Sequence, residues 1–329
     1  MQGQHGEDYP AFLRAMAETL WTERALDAGL VGICHPQLIH RQAQAMGFGA
    51  GAIRAEAVEL LAALPDLAVR AEDAICSGAP RIGLLGSQRL LMQGSHDGAG
   101  AFGAPSGRRL RFRAMADIYA KDGRISEIWA LRDSGAILRQ LGLRVSDWAR
   151  ERAAWLDPEG GPFHPGIDQP GPYTGQGNGN HWGMAFAALL ERIMAAGFSE
   201  IPAQYDPAAR LAYPGGVAAQ GPAGAERFWF GLRAAFPDAR FVIHHRIGRE
   251  DRLLPPRAAL RWSLSGRHSG WGAFGRPTGA EVHVMGISHA EFGPSGLRRE
   301  WTLYDEAAVW MQIHDPRHAA PLARAVAAE

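Results

Sequence analysis

Lysine is almost missing from this chain: Lys121 is the single one in 329 residues, and arginine supplies the rest of the positive charge. A Schiff-base or pyridoxal enzyme needs a desolvated lysine, whereas Lys121 stands in a Lys-Asp-Gly turn where water keeps an ammonium charged. That chemistry is excluded. Cysteine is scarce too: Cys34 and Cys76 form no metal or redox spacing and read as two small buried thiols. Net charge is lacking, with Lys+Arg 34 against Asp+Glu 34, so no basic field draws the chain to nucleic acid or to a membrane. No stretch approaches a membrane span, and Met1 to Asp8 has no basic start followed by an apolar run. A cytoplasmic location is expected. The site motifs are equally sparse. Gly47 to Gly51 lacks a dinucleotide fingerprint's spacing and preceding strand, no Gly-x-Ser-x-Gly elbow occurs, and His244 and His245, adjacent on a strand, are expected on opposite faces. No metal is expected.

What is present is a repeat. Ala101-Phe102-Gly103-Ala104-Pro105-Ser106-Gly107 is echoed by Ala273-Phe274-Gly275-Arg276-Pro277-Thr278-Gly279, 172 positions later. The same offset carries Pro65-Asp66 onto Pro237-Asp238, Arg89 onto Arg261, His96 onto His268, Trp129 onto Trp301, Asp133 onto Asp305 and Gln140 onto Gln312. One register held this long means that a backbone path has been duplicated. With 47% hydrophobic and 21% charged residues, the chain has the composition of folded globular domains. It divides into a first copy over 1–150, a Gly/Pro-rich and loosely ordered linker over 151–180, and a second, more diverged copy over 181–329 with a short, partly helical tail.

Each copy runs from helices to strands. Tyr9 to Leu26 and Ile53 to Leu64 have helical apolar spacing. Leu67 to Ile75, Arg81 to Gly94, Arg109 to Ala120 and Arg124 to Arg132 read as strands, with Asp122-Gly123 as a hairpin turn. The second copy repeats this, starting from a helix over His181 to Gly197. Helices followed by antiparallel strands make an α+β fold.

Gly94-Ser95-His96-Asp97-Gly98, Pro105-Ser106-Gly107, and Trp129 through Asp133 to Gln140-Leu141-Gly142 resemble the SnoaL-like polyketide cyclases of the NTF2-like superfamily. The resemblance implies two tandem NTF2-like domains, each a cone-shaped α+β barrel with N-terminal helices packed in a curved antiparallel sheet around an apolar pocket. It implies cofactor-free acid/base chemistry, an aldol-type cyclisation or isomerisation, on a small hydrophobic carbonyl compound. Two copies in one chain can make an intramolecular pseudo-dimer, and two chains a homodimer. The family's histidine on the penultimate strand falls within one residue of His289, while its final-strand aspartate falls near Ala130 and Thr302, so that carboxylate is missing.

Strand alternation places Asp117 and Tyr119 on the face opposite Leu110, Phe112 and Ile118, and His289 at the position equivalent to Asp117. Taking that mixed face as pocket-lining makes Asp117 and His289 the acid/base candidates, with Asp133 or Asp305 as further acids unless they cap the helices that follow them. Substrate contacts are expected from Arg89 and Arg261, unless they form ion pairs, and from His96 and His268, unless they only brace turns. Tyr119, Trp129 and Trp301 are candidate walls. His40 and Tyr213, with Trp21 and Trp182, are placed at the pocket mouths. The rival readings are a non-catalytic small-molecule binding protein and a copy that serves only as a scaffold.

Overall fold

The computed structural model describes residues 9–79, 81–156 and 160–317; the expected helical tail lies almost wholly outside them. The first copy comprises α1 (Tyr9–Trp21), α2 (Ala28–Ile33), β1 (Cys34–Gln42), β2 (Met46–Phe48), α3 (Gly49–Ala63), β3 (Ala68–Ala79), β4 (Gly83–Ser95), β5 (Arg109–Lys121), β6 (Arg124–Arg132), α4 (Ser134–Gln140) and α5 (Val145–Ala153). The second comprises α6 (His181–Met194), α7 (Glu200–Gln204), β7 (Tyr205–Tyr213), β8 (Val217–Gln220), α8 (Gly221–Ala235), β9 (Arg240–Asp251), β10 (Leu254–Arg267), β11 (Glu281–Gly293), β12 (Gly296–Tyr304) and α9 (Glu306–His314).

The sheets have the orders β2-β1-β6-β5-β4-β3 and β8-β7-β12-β11-β10-β9. Two expectations need correction. Each sheet is mixed, because β1 runs parallel to β6 and β7 parallel to β12, and each stays open at its edges instead of closing into a barrel. Polar residues and Pro36 disguise β1 as a loop in the sequence; it becomes a strand because the free edge of β6 supplies hydrogen-bond partners. Asp122 and Gly123 both have positive φ, 52° and 75°, as a tight hairpin between right-twisted strands requires.

The period of two then divides each sheet's side chains. Leu110, Phe112 and Ile118 of β5 pack with Tyr9, Leu13 and Leu60 under the helices. The opposite face carries Met115, Tyr119, Trp129 and Leu131, and these pack on Met285, Ile287 and Leu303 of the second copy. The two sheets thus lie face to face, and the mixed face of β5 and β11 is the seam between copies. The expected inward placement of Asp117 and His289 is corrected here.

The seam repeats its contacts about a pseudo-two-fold. Arg89 lies 3.6 Å over the Trp301 ring and Arg261 lies 3.7 Å over Trp129. Arg261 Nε donates to Asp117 Oδ2 at 3.2 Å, and His245 Nδ1 is 3.3 Å from the same oxygen. Across the axis, His289 is hydrogen-bonded through Nε2 to Ser87 Oγ at 2.8 Å and through Nδ1 to Arg89 at 3.2 Å. Arg89 also pairs with Glu72 in its own sheet at 3.1 Å. Burial opposes the Asp117 charge, but His245 and Arg261 outweigh it and hold the carboxyl below its usual range. Asp133 caps α4 through Ala136 N–H and also accepts from Gly215 and Gly216 N–H of the other copy. Asp305 caps α9 and accepts from Gln44 and Ser134. A bulge between Arg261 and Trp262 on the β9/β10 ladder also corrects the histidine pair: His245 faces Asp117 and His244 bonds Ser263 Oγ at 2.7 Å, both on the seam side.

The linker is not loose. Phe163 is buried and donates its N–H to Ala43 O; Asp168 and Gln169 O hold Arg41; Tyr173 N–H donates to Glu127 at 2.5 Å, and its ring packs on Tyr119 and Trp129. Gly177 adds a bridge to Arg246.

Replacing Arg261 with Met strands the buried Asp117 charge and is expected to cost about 3–5 kcal/mol, read as a lowered denaturation midpoint. Burial also lowers the His245 and His289 pKa values from 6.5. The unfolded chain therefore binds protons that the folded chain refuses, and stability falls as pH drops through 6.5. Between pH 7.5 and 6 these two histidines together should remove at most about 1.5 kcal/mol of unfolding free energy, the amount reached when neither takes up a proton in the folded chain. The opposing uptake by Asp133, pushed up to about 6 by burial, gains weight only toward the end of that window. Urea melts across this range should show the decline, to which His244 and His283, each held down to about 4 by burial, also contribute, and His289→Gln should make it shallower.

Candidate functional site

With Asp117 and His289 buried in the seam, each copy still has a cup between its sheet and its helices, and the two cups differ. In the first, Ala114 and Ala116 of β5 and Ala130 of β6 point toward the helices and remain partly exposed, while their seam-facing neighbours Met115, Asp117 and Leu131 are buried. Small side chains leave this part of the cup open.

Polar groups gather at its wall. His40 projects from β1, whose pairing sets His40 beside Ile128. α3 starts at Gly49, whose φ of 66° turns the chain off β2. It buries Ile53, Ala57 and Leu60 at helical spacing, which carries Glu56 to the cup. His40 Nε2 is 3.4 Å from Glu56 Oε2, and its Nδ1 faces Gln42 Nε2 at 3.3 Å. Arg132 Nη1 stands 4.0 Å from Glu56 Oε1, and its Nε and Nη1 are buried without a hydrogen-bond partner among the described residues. Burial lowers the His40 pKa while Glu56 pulls it back up, so the imidazole is neutral at pH 7. The result is a carboxylate held between a neutral imidazole and a guanidinium with spare donors. Such a set can take a proton from carbon and stabilise the oxyanion that forms.

The second cup is solid. Where the first has Ala57, Leu90, Glu56 and Arg132, the same register gives Trp229, Trp262, Phe228 and Tyr304, and β7 sets Leu211 where β1 sets His40. Trp229 and Trp262 are wholly buried; Trp262 lies so close over Gly286 that a Cβ there would fall 2.1 Å from its ring. Tyr213 stacks on Phe228 at 3.8 Å. Inside, Glu300 accepts from Thr302 Oγ1 at 2.6 Å, Tyr205 at 2.7 Å and Tyr213 at 3.0 Å, while Ser288 links Thr302 to the Trp262 indole N–H. Burial raises the Glu300 pKa against these donors. Every polar group of this chain of bonds has a partner inside the protein, as a fully enclosed network needs.

Of the residues singled out from the sequence, His40 and Tyr213 reach the cups, one in each. Asp117, His289, Asp133, Asp305, Arg89, Arg261, Tyr119, Trp129 and Trp301 belong to the seam. His96 and His268 brace matching turns through Ser106 Oγ at 3.0 Å and Thr278 Oγ1 at 3.1 Å. Trp21 is core on α1; Trp182 packs on Phe292 at 4.7 Å and donates to Glu250. Glu56, Gln42, Arg132 and Glu300 were not anticipated. The available signal was difference between the copies: Glu56 against Phe228, and Ile128 against Glu300.

The SnoaL-like polyketide cyclase family model matches residues 11–141, and the SnoaL-like domain model matches residues 186–301. No curated protein matches the sequence. Among solved structures, IdmH from Streptomyces antibioticus is 18% identical over 41% of this chain and 99% of its own, with a TM-score of 0.35. A SnoaL-like polyketide cyclase from Agrobacterium tumefaciens is 22% identical over 39% and 94%, TM-score 0.30. TsrD from Streptomyces laurentii is 17% identical over 40% and 96%, TM-score 0.34. The two family matches fall on the two cups in turn: the chain carries two SnoaL-like domains in tandem.

Proposed function

We propose that the first copy is a cofactor-free acid/base site for a small, largely apolar carbonyl compound, and that the second copy is its closed structural partner. The observation that carries this is the partial exposure of Ala114, Ala116 and Ala130 against the burial of Gly286, Ser288 and Thr302 at the same positions. An apolar ring system rests on the alanines, its carbonyl oxygen toward Arg132. Glu56 removes the proton next to the carbonyl, and Arg132 stabilises the resulting enolate. His40 orients Glu56 through Nε2. The enolate carbon then attacks a second carbonyl, closing a ring whose new alkoxide takes the proton back from Glu56, or the enolate is reprotonated by Glu56 at another position. The seam supplies within one chain the pairing that a dimer makes between subunits.

Binding without turnover is the second reading. Both His40 nitrogens are engaged, and Ala130 stands where the family's carboxylate was expected.

Thermal melts with ethyl benzoylacetate, an aromatic β-keto ester, should show stabilisation, by about 2.7 kcal/mol at a hundredfold excess over Kd. Ala116→Phe should abolish the response, and a response that survives it overturns the assignment to this cup. Deuterium exchange next to the carbonyl of α-tetralone separates the readings. Catalysis predicts acceleration by the protein and a loss of 100-fold or more in Glu56→Gln; no acceleration by the wild type supports binding alone.

A further inference from the structure

The pseudo-two-fold of the seam creates two equivalent clefts, and the described residues of the chain fill only one of them. His283, Val284, Met285 and Asp305 line the first, together with Ala43 and Phe163. The linker enters it: the Phe163 ring lies 5.7 Å from His283, and a volume of only about 10 Å³ remains. Alongside, Arg41 is 4.8 Å over the Trp129 ring and is held by Glu127, Asp168 and Gln169 O at 2.6–2.7 Å. Trp129 is thus covered by two guanidinium groups, Arg261 and Arg41.

The other cleft is lined by Arg111, Phe112, Arg113 and Asp133, which are the counterparts of His283, Val284, Met285 and Asp305 at the repeat offset, and by Trp301 and Tyr213. None of the described linker residues lines it, and its volume is about 270 Å³. The strand neighbour of Trp301 is Ala212, where that of Trp129 is Arg41; an alanine cannot cover the ring, so among the described residues Arg89 is the one guanidinium over it. Glu127, which anchors Arg41, is replaced by Arg299. Arg111 is exposed and has no ion-pair partner among the described residues, and Arg113 beside it is paired to Glu72 at 2.8 Å. The Asp133 carboxylate already accepts from three backbone N–H groups, those of Ala136, Gly215 and Gly216, which offset its charge toward an incoming anion.

We propose that this open seam cleft binds a small planar aromatic carboxylate, its ring against Trp301 in the space where Arg41 covers Trp129, and its carboxylate on Arg111. The size suits the assignment, since a cavity of about 150 Å³ already holds benzene, and two fused rings fit within the volume found here. A guanidinium at the rim favours a carboxylate through charge-assisted hydrogen bonds, and the partly exposed indole supplies the stacking surface. The site is separate from the first cup and does not rest on the function proposed for it.

Isothermal titration of the full chain with 2-naphthoate, alongside its neutral isostere 2-naphthamide, tests the assignment. Naphthoate should bind, and the amide at least tenfold more weakly. Ala212→Arg, which fills the space over Trp301, should abolish binding while circular dichroism shows the chain still folded, and Arg111→Gln should weaken naphthoate tenfold or more while leaving the amide unchanged. Absence of binding by the wild type, equal affinity for acid and amide, or binding that persists in Ala212→Arg overturns the proposal. So does binding that is lost in Ala116→Phe and retained in Ala212→Arg, which would place the ligand in the first cup.

Discussion

The burial of one sheet face against another governs this molecule. A sheet that packs helices on one side still has a second face to remove from water, and here each copy uses the other for that purpose. The faces are not simply apolar. At their centre a guanidinium from each copy lies on a tryptophan of the other, and Asp117 and His289 are drawn in as their polar partners. Buried charges are tolerated only when paired, so these residues must keep one geometry, and the relative placement of the two cups follows from it.

That constraint explains why the copies share their seam while their cups diverge. Arg89 and Arg261, Trp129 and Trp301, Asp133 and Asp305 are matched because both halves of a pseudo-symmetric interface face the same problem. The cups have no such tie. Large side chains replace small ones along α8 and β10, Trp229 for Ala57 and Trp262 for Leu90, and the second cup becomes core. The first keeps alanines on its floor and a carboxylate, an imidazole and a guanidinium on its wall. Duplication thus leaves one copy free to specialise in packing.

Much of the fold was legible in one dimension. The repeat, the turn at Asp122-Gly123 and the long strands came from spacing and turn chemistry, which are local. β1 and β7 were not legible, because parallel addition to β6 and β12 depends on an edge provided by residues far along the chain. The candidate site was largely hidden for a related reason. Recurrence between the copies drew attention to Asp117, His289 and the arginines, yet recurrence here marks the interface; the chemistry of the cups lies where the copies disagree.

By itself the sequence determined that two α+β units of one family follow each other in the chain, since hydrophobic period, glycine turns and a constant offset are properties of residue order. Only the tertiary structure decided which face of each strand turns toward helices and which toward the other copy. Alternation separates two faces but does not say what will cover either of them. Asp117 therefore left the pocket once the sheets were packed and became a buried partner of Arg261, while His40, expected at a pocket mouth, became a wall of the open cup.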